Sequence, residues 1–433
     1  MNILIKNCSF ILTQNKKREL IKDKSILIED NKISAIGDIK NADEIIDAKG
    51  FLVIPSLINT HTHSSMTLFR GIAEDMPLKP WLETKIWPLE RKLTGKLCYY
   101  GSLIACIEMI RNGITCFNDM YLFMNDVAKV CKQVGIRAFL GSVFFDFPTP
   151  EGNSFEVNKK FVSKWKNEEL IKPTFTPHST YSCSEELLLK SKELADKNNV
   201  LLHTHLAETK DEQEKSKEKN NLRQVEYLEK IGLLDKNVIA AHCCWLSEKE
   251  ISILKNYNVK VSHNPVSNMK LSSGVAPVPE MIKNNITVSL GTDGAASNNS
   301  LDMFETMKVC SLLHKLNKTN PLAIKSQKIF DFSTIEGAKA LLIDNEIGSI
   351  EIGKKADMVL IDLKKTNFFP LYNNLIPHLV YSCKGENVDT VICNGKILMK
   401  NREILTLDEK EVMKKAKLAK DDLLRENNLN IEI

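Results

Sequence analysis

The rhythm of apolar and polar positions changes twice along the chain. Up to about residue 50, short apolar runs (Ile3-Leu4-Ile5, Ser9 to Leu12, Ser25 to Ile28, Ile33 to Ile36) are broken by turn formers such as Asp30-Asn31-Lys32, which predicts a small antiparallel sheet. From Phe51 onward, apolar segments of strand length alternate with longer stretches of helical periodicity, the pattern of repeated βα units around a parallel sheet. Eight strands are predicted: Leu52 to Ile58, Ile114 to Asn118, Ile136 to Phe144, Thr174 to His178, Val200 to His205, Val238 to His242, Val259 to Asn264 and Ile286 to Asp293. Eight parallel strands imply an α/β fold of the (β/α)8 TIM-barrel type, whose working face lies at the C-terminal ends of the strands.

Helices are expected between the strands. Cys98 to Arg111 carries an apolar face and stops near Gly113, and Ser184 caps a helix running to Lys197 with Glu185 and Glu186 in its first turn. The charge run Lys210 to Lys219 reads as a solvated helix or loop, and Asp302 as the cap of a further helix. Beyond a helix at Thr334 to Leu342 the chain turns β-rich again, with strands at Met358 to Asp362 and Thr390 to Cys393 and a turn at Asn394-Gly395; a charged helix, about Leu407 to Arg425, closes it. The expected organisation is a barrel over residues 53–345 beside a small β-sandwich domain assembled from residues 1–52 and 346–433, the latter including the terminal helix.

The 433 residues are ample for a large core. A formal net charge of +4 against 59 basic and 55 acidic residues suggests neither a nucleic-acid surface nor a strongly acidic partner. Eleven scattered cysteines without a C-x-x-C pair argue for reduced thiols, with Cys243-Cys244 as ordinary packing. No signal peptide is read at the N-terminus and no apolar run approaches the ~18 residues of a membrane span, so a soluble cytoplasmic enzyme is expected.

Chemistry concentrates at strand ends. Of the nine histidines, His61, His63, His178, His203, His205, His242 and His263 fall at or within two residues of a predicted strand's C-terminal end. A lone strand histidine is usually structural, but this clustering on one barrel face points to a metal site. His61 and His63, two residues apart, share one side of a strand and can hold one ion, which needs three or four protein ligands. The fifth strand offers both His203 and His205, with Glu208 just beyond; spacing does not choose between the histidines, although His205 lies nearer the opening. His242 ends the sixth strand. Asp293, before Gly294, ends the eighth and suits a ligand or base, though such an Asp-Gly step also makes a simple turn.

At this point the sequence resembles the amidohydrolase superfamily, in the branch of 5-methylthioadenosine/S-adenosylhomocysteine deaminases. The matching segments are Asn59-Thr60-His61-Thr62-His63, Trp81-Leu82 through Ile86-Trp87-Pro88-Leu89-Glu90, Pro177 to Ser184, His203 to Thr209, Ala241-His242-Cys243, Ser262-His263-Asn264-Pro265, Gly291 to Asn299 and Gly353 to Asp357. The resemblance implies one divalent metal, zinc, on His61, His63, His205 and Asp293, with His203 structural. The bridging lysine of binuclear members is missing, since strand four ends in Thr176-Pro177-His178 and its only lysine, Lys172, sits at the opposite end.

By the same resemblance the reaction is hydrolytic deamination of an adenosine-type nucleoside. Asp293 takes a proton from the attacking water, Glu208 protonates the ring nitrogen beside the carbon under attack, and His242 orients the water and stabilises the tetrahedral intermediate. Glu90 and His178 resemble the family's contacts to the nucleoside, with Glu90 suited to paired ribose hydroxyls. Trp81 is left between wall and loop packing, and Asp119 is taken as structural. Residues 141–158 contain no arginine or lysine where some members hold the homocysteine carboxylate, which favours an uncharged 5′ group. A homo-oligomer is the expected assembly. The alternatives are a deaminase or chlorohydrolase acting on a free purine or triazine and, from another class, a noncatalytic metal-binding scaffold. The scaffold has no need of Glu208, His242 and Asp293 together.

Overall fold

The computed structural model describes residues 2–426. Residues from both ends of the chain share one nine-stranded sheet. Asn2–Leu12 pairs antiparallel with Leu20–Glu29 and parallel with Glu44–Asp47 and Phe51–Pro55, so pairing is mixed rather than purely antiparallel. Phe51–Pro55 then pairs with Met358–Asp362, and Val388–Cys393, Lys396–Lys400 and Glu403–Ile404 follow in order. Ile5, Ile26, Ile28, Ile46, Met358, Leu360 and Ile392 meet in a single apolar cluster enclosed by this sheet, the core of the expected sandwich. The Asn394-Gly395 turn takes positive φ at both residues (50° and 76°), as a two-residue hairpin requires.

The run expected as one first barrel strand, Leu52 to Ile58, is two. Phe51–Pro55 belongs to the nine-stranded sheet, and Leu57–Thr62 is the first barrel strand. Ser56 stands between them, its N–H on the Asp357 carbonyl (3.2 Å), while the Leu57 N–H already bonds Gly113 (2.9 Å). Both strands are buried on both faces, so the apolar run continues while the pairing partner changes.

The eight barrel strands are Leu57–Thr62, Ile114–Tyr121, Arg137–Phe144, Thr176–Pro177, Leu202–Leu206, Val238–His242, Lys260–His263 and Val288–Leu290, all parallel within two arcs, the first of which also takes in the short strand Ile171–Pro173 beside the third. Between the arcs, a bridge from Phe175 to Leu202 joins the fourth and fifth strands. The eighth meets the first through the Asp293 N–H on the His61 carbonyl (3.0 Å) and a two-way bond between the Asn59 side chain and Thr292. The Thr60 hydroxyl ties in Ser262, Ser289 and the Leu290 carbonyl at 2.7–2.9 Å. This is the (β/α)8 barrel that the periodicity implied.

The helices keep their expected ends. Gly95–Arg111 stops before Gly113 (φ 75°), Ser184 caps Glu185–Asn198 through the Leu187 N–H, and Asp302 accepts from Phe304 and Glu305 at the start of Met303–Asn317. At the base of the barrel, buried Arg137 pairs with buried Asp357 at 3.2 Å and fixes barrel to sheet.

Candidate metal centre and pocket

Where the strands end, the backbone leaves strand geometry. Ala207 (φ 52°), His242 (φ 70°) and Asp293 (φ 64°) are left-handed, a conformation that costs a residue bearing Cβ about 1–2 kcal/mol. Such strain persists where the surroundings hold it, and here it turns side chains inward across the mouth.

His61, His63 and Asp293 present ligand atoms within 4.8 Å of one another, and so do His61, His205 and His242. Asp293 Oδ1 lies 3.4 Å from His61 Nε2 and 3.2 Å from His63 Nε2. Each imidazole is held from behind by its other nitrogen. His63 Nδ1 donates to the Met120 carbonyl (2.5 Å), His205 Nδ1 to the His178 carbonyl (2.8 Å) and His242 Nδ1 to Asn268 Oδ1 (2.8 Å). His61 Nδ1 is hydrogen-bonded to His203 Nε2 (2.9 Å), which Asn118 backs in turn (3.1 Å). On Asp293, Oδ2 accepts from Ser267 (2.6 Å) and Ser297 (2.8 Å), leaving Oδ1 toward the histidines.

This arrangement fits a metal ion. His61 Nε2 is buried and has no hydrogen-bond partner, an arrangement that costs free energy unless something is bound there. Imidazoles and a carboxylate, their outer atoms already satisfied, suit a divalent transition metal such as zinc. The electrostatics agree. Burial alone would raise the Asp293 carboxyl, but the nearness of His61 and His63 carries it well below the usual range. Burial disfavours charge on His63, yet Asp293 and Asp119 outweigh it and lift the pKa to about 9, so positive charge is welcome there; burial holds His61 at about 4.

The centre forms the floor of a cleft with roughly 660 Å³ of atom-free space, open on one side. Glu208 and His242 line it, with Glu208 Oε2 3.7 Å from His242 Nε2 and Glu208 Oε1 accepting from Ser273 (3.1 Å). Burial raises the pKa of Glu208. Glu90 faces the same space beside the Tyr121 hydroxyl, and desolvation lifts its pKa also. His178 reaches the wall with Nδ1 tied to Ser182 (2.8 Å); burial and the neighbouring imidazoles lower it to about 3. Trp81 both lines the cleft and packs its loop, donating to the Ala73 carbonyl (3.2 Å). Among the described residues no lysine or arginine lines the cleft.

Two of the strand-end histidines stay outside the cleft. His203 sits behind His61, and His263 turns outward to His314, Nε2 to Nε2 at 3.1 Å. With Cys310 they form a second cluster whose ligand atoms lie within 4.8 Å. Both Nδ1 atoms there lack a partner, whereas every imidazole of the central cluster has one, so the outward pair is a buried hydrogen bond rather than a second ligand set. Periodicity left unmarked the residues that hold the site: Asn118, Ser267, Asn268, Ser273 and Ser297. A signal existed for Ser297, which follows Asp293 inside the matched segment Gly291 to Asn299, whereas Ser267 and Asn268 lie just past the segment that ends at Pro265.

Comparison with known proteins accords with this geometry. The chain is 48% identical over 406 residues to the 5′-deoxyadenosine deaminase of Methanobrevibacter smithii, covering 92% of this chain and 93% of that protein. It is 43% identical to the 5-methylthioadenosine/S-adenosylhomocysteine deaminase of Thermodesulfovibrio yellowstonii, covering 95% and 97%. An adenosine deaminase from Xanthomonas campestris, crystallised with bound zinc, superposes with a TM-score of 0.93 at 32% identity over 98% of both chains. Residues 52–398 match the Amidohydrolase family profile, and the chain belongs to that family.

Proposed function

We propose that the protein is a metal-dependent hydrolytic deaminase of adenosine-type nucleosides. The observation that carries the reading is the pair of carboxylates at the floor of the cleft, Glu208 raised by burial and Asp293 held low by His61 and His63. Two carboxyl groups pushed apart in proton affinity make an acid and a base within one site. The full-length relatives named as deaminases support the same assignment.

His61, His63, His205 and Asp293 would hold one metal ion, zinc in this reading. When bound, such an ion lowers the pKa of a water molecule from 15.7 toward about 7. The remaining chemistry belongs to side chains. Glu208 gives its proton to the ring nitrogen next to C6, which makes that carbon electrophilic; Asp293 takes a proton from the water that adds there. His242, oriented by Asn268, hydrogen-bonds the incoming oxygen. Asp293 passes its proton to the C6 amine, which leaves as ammonia with the C6–N bonding pair, and the C6 hydroxyl returns its proton to Glu208 as it becomes the carbonyl of the inosine analogue. Glu90 accepts hydrogen bonds from the ribose hydroxyls, and His178 contacts the nucleoside.

The 5′ end is read from an aromatic wall. Phe145 stacks on Phe147 (4.3 Å between ring centroids, 21°), Trp87 tilts against Phe147 (5.9 Å), and His178 lies between Phe145 (4.7 Å) and Tyr181 (5.6 Å). Uncharged 5′ groups, as in 5′-deoxyadenosine, 5′-methylthioadenosine and adenosine, suit this wall better than the zwitterionic homocysteine adduct. A panel of 5′-modified adenosines, free adenine and guanine, assayed for ammonia release with metal-replete protein, tests both statements through relative kcat/KM. Turnover of free bases alone would overturn the nucleoside assignment, and comparable use of S-adenosylhomocysteine in competition would overturn the 5′ preference.

The same reading makes the enzyme a cytoplasmic homo-oligomer. Its eleven cysteines are free and buried, and exposed Leu316, Leu322, Phe369 and Tyr372 are side chains an interface would cover. Among the described residues no helix is long and apolar enough to cross a membrane. Light scattering of the purified protein measures the assembly.

A further inference from the structure

The cleft has one wall that does not come from the barrel. Between the first barrel strand and the helix Gly95–Arg111, a strap of short helical turns, Leu78–Trp81, Leu82–Ile86 and Trp87–Glu90, brings Trp81, Leu82, Ile86, Trp87 and Glu90 to the cleft. The strap takes no place in any sheet, so its position must be set by side chains.

One polar triangle ties Glu74, just ahead of the strap, to the segments that follow the seventh and eighth barrel strands. Lys270, which ends the short helix Pro265–Lys270 after the seventh strand, pairs with Glu74 Oε2 at 2.5 Å. Asn299, in the loop after the eighth, donates to Glu74 Oε1 at 2.9 Å, and its carbonyl oxygen accepts from Lys270. Lys270 also reaches the Ala296 carbonyl (3.3 Å), so each member of the triangle touches the other two and Lys270 grips the backbone as well. Burial nudges Glu74 upward, but Lys270 and Asn299 outweigh it and keep the carboxyl ionised.

The two loops gripped in this way carry the atoms that orient the centre. Ser267 and Ser297 hold Asp293, Asn268 holds His242, and Ser273 holds Glu208. We propose that the Glu74–Lys270–Asn299 triangle is a clamp that seats the strap against these loops, making Glu74 and Lys270 positioning residues for the nucleoside contact at Glu90. The proposal rests on the nucleoside reading of Glu90, and its test contains a readout that does not.

The experiment uses the full-length, metal-loaded protein with Lys270→Met, Glu74→Gln and the conservative Lys270→Arg. Strap release is read by the rate of tryptic cleavage after exposed Lys85, and nucleoside positioning by the steady-state constants for adenosine. Lys270→Met and Glu74→Gln are expected to speed cleavage and raise KM about fivefold each, with kcat within about twofold, metal content unchanged, and Lys270→Arg close to the parent. If neither cleavage nor KM moves in both variants, the clamp is overturned. Faster cleavage in a protein that deaminates no nucleoside would sustain the clamp and sink the nucleoside reading instead.

Discussion

His203 stands directly behind His61, its Nε2 2.9 Å from His61 Nδ1, and so fixes the ring whose other nitrogen is buried and unpartnered at the centre of the site. Partners of this kind orient a ligand and fix its tautomer, and their loss typically costs 10–100-fold in metal affinity. His203→Ala is expected to weaken metal binding by about that factor, measured by competition with a chromophoric chelator. Unaltered affinity would leave His203 a packing residue only.

Burial raises the pKa of Glu208, which is not counted among the metal ligands. Glu208→Gln is expected to lower kcat by about 10²–10⁴ while metal content and thermal stability stay near the parent values. A loss of metal in parallel with activity would mean that Glu208 holds the ion instead.

Glu90 is the carboxylate that separates nucleosides from free bases in this reading. Glu90→Gln is expected to raise KM for adenosine about 10–100-fold, the worth of charge-assisted hydrogen bonds, and to leave the weak binding of adenine unchanged. Equal effects on both ligands would remove Glu90 from the ribose.

The outward pair His263 and His314 predicts acid sensitivity. Burial lowers the His314 pKa from 6.5 to about 4, with Glu280 favouring and Lys318 opposing its charge. The unfolded chain therefore binds a proton between those values that the folded chain refuses, so stability is fully present above pH 6.5 and falls as the pH drops toward 4, by about 3 kcal/mol for this group. Urea unfolding of the parent and His314→Gln at pH 7 and pH 5 checks this; the variant is expected to show the flatter pH dependence.

Much of the barrel was legible because period and breakers are local properties. Strand-length runs, Gly113 after a helix and Ser184 before one each carry their signal within a few residues. The passage at Ser56 from sheet to barrel was not legible, since a strand buried on both faces reads the same whichever partner it takes. In the site, histidines at strand ends marked the face, but direction did not follow from spacing: His203 and His263 share the strand-end position of His205 and lie outside the cleft. The supporting Ser267 and Asn268 stand on the six-residue helix Pro265–Lys270 and Ser273 just beyond it, a stretch too short to leave a periodic trace.

The last barrel strand meets the first through Asp293 and His61, residues almost a whole barrel apart in the chain. On a ribosome the two histidines at the end of the first strand emerge early and must wait, without their carboxylate, until nearly all of the barrel has been synthesised. Closure of the barrel and completion of the site are thus one event, a contact of very high sequence separation that forms late. Truncated or stalled chains ending before the eighth strand would carry His61 and His63 and still lack a closed barrel to hold them.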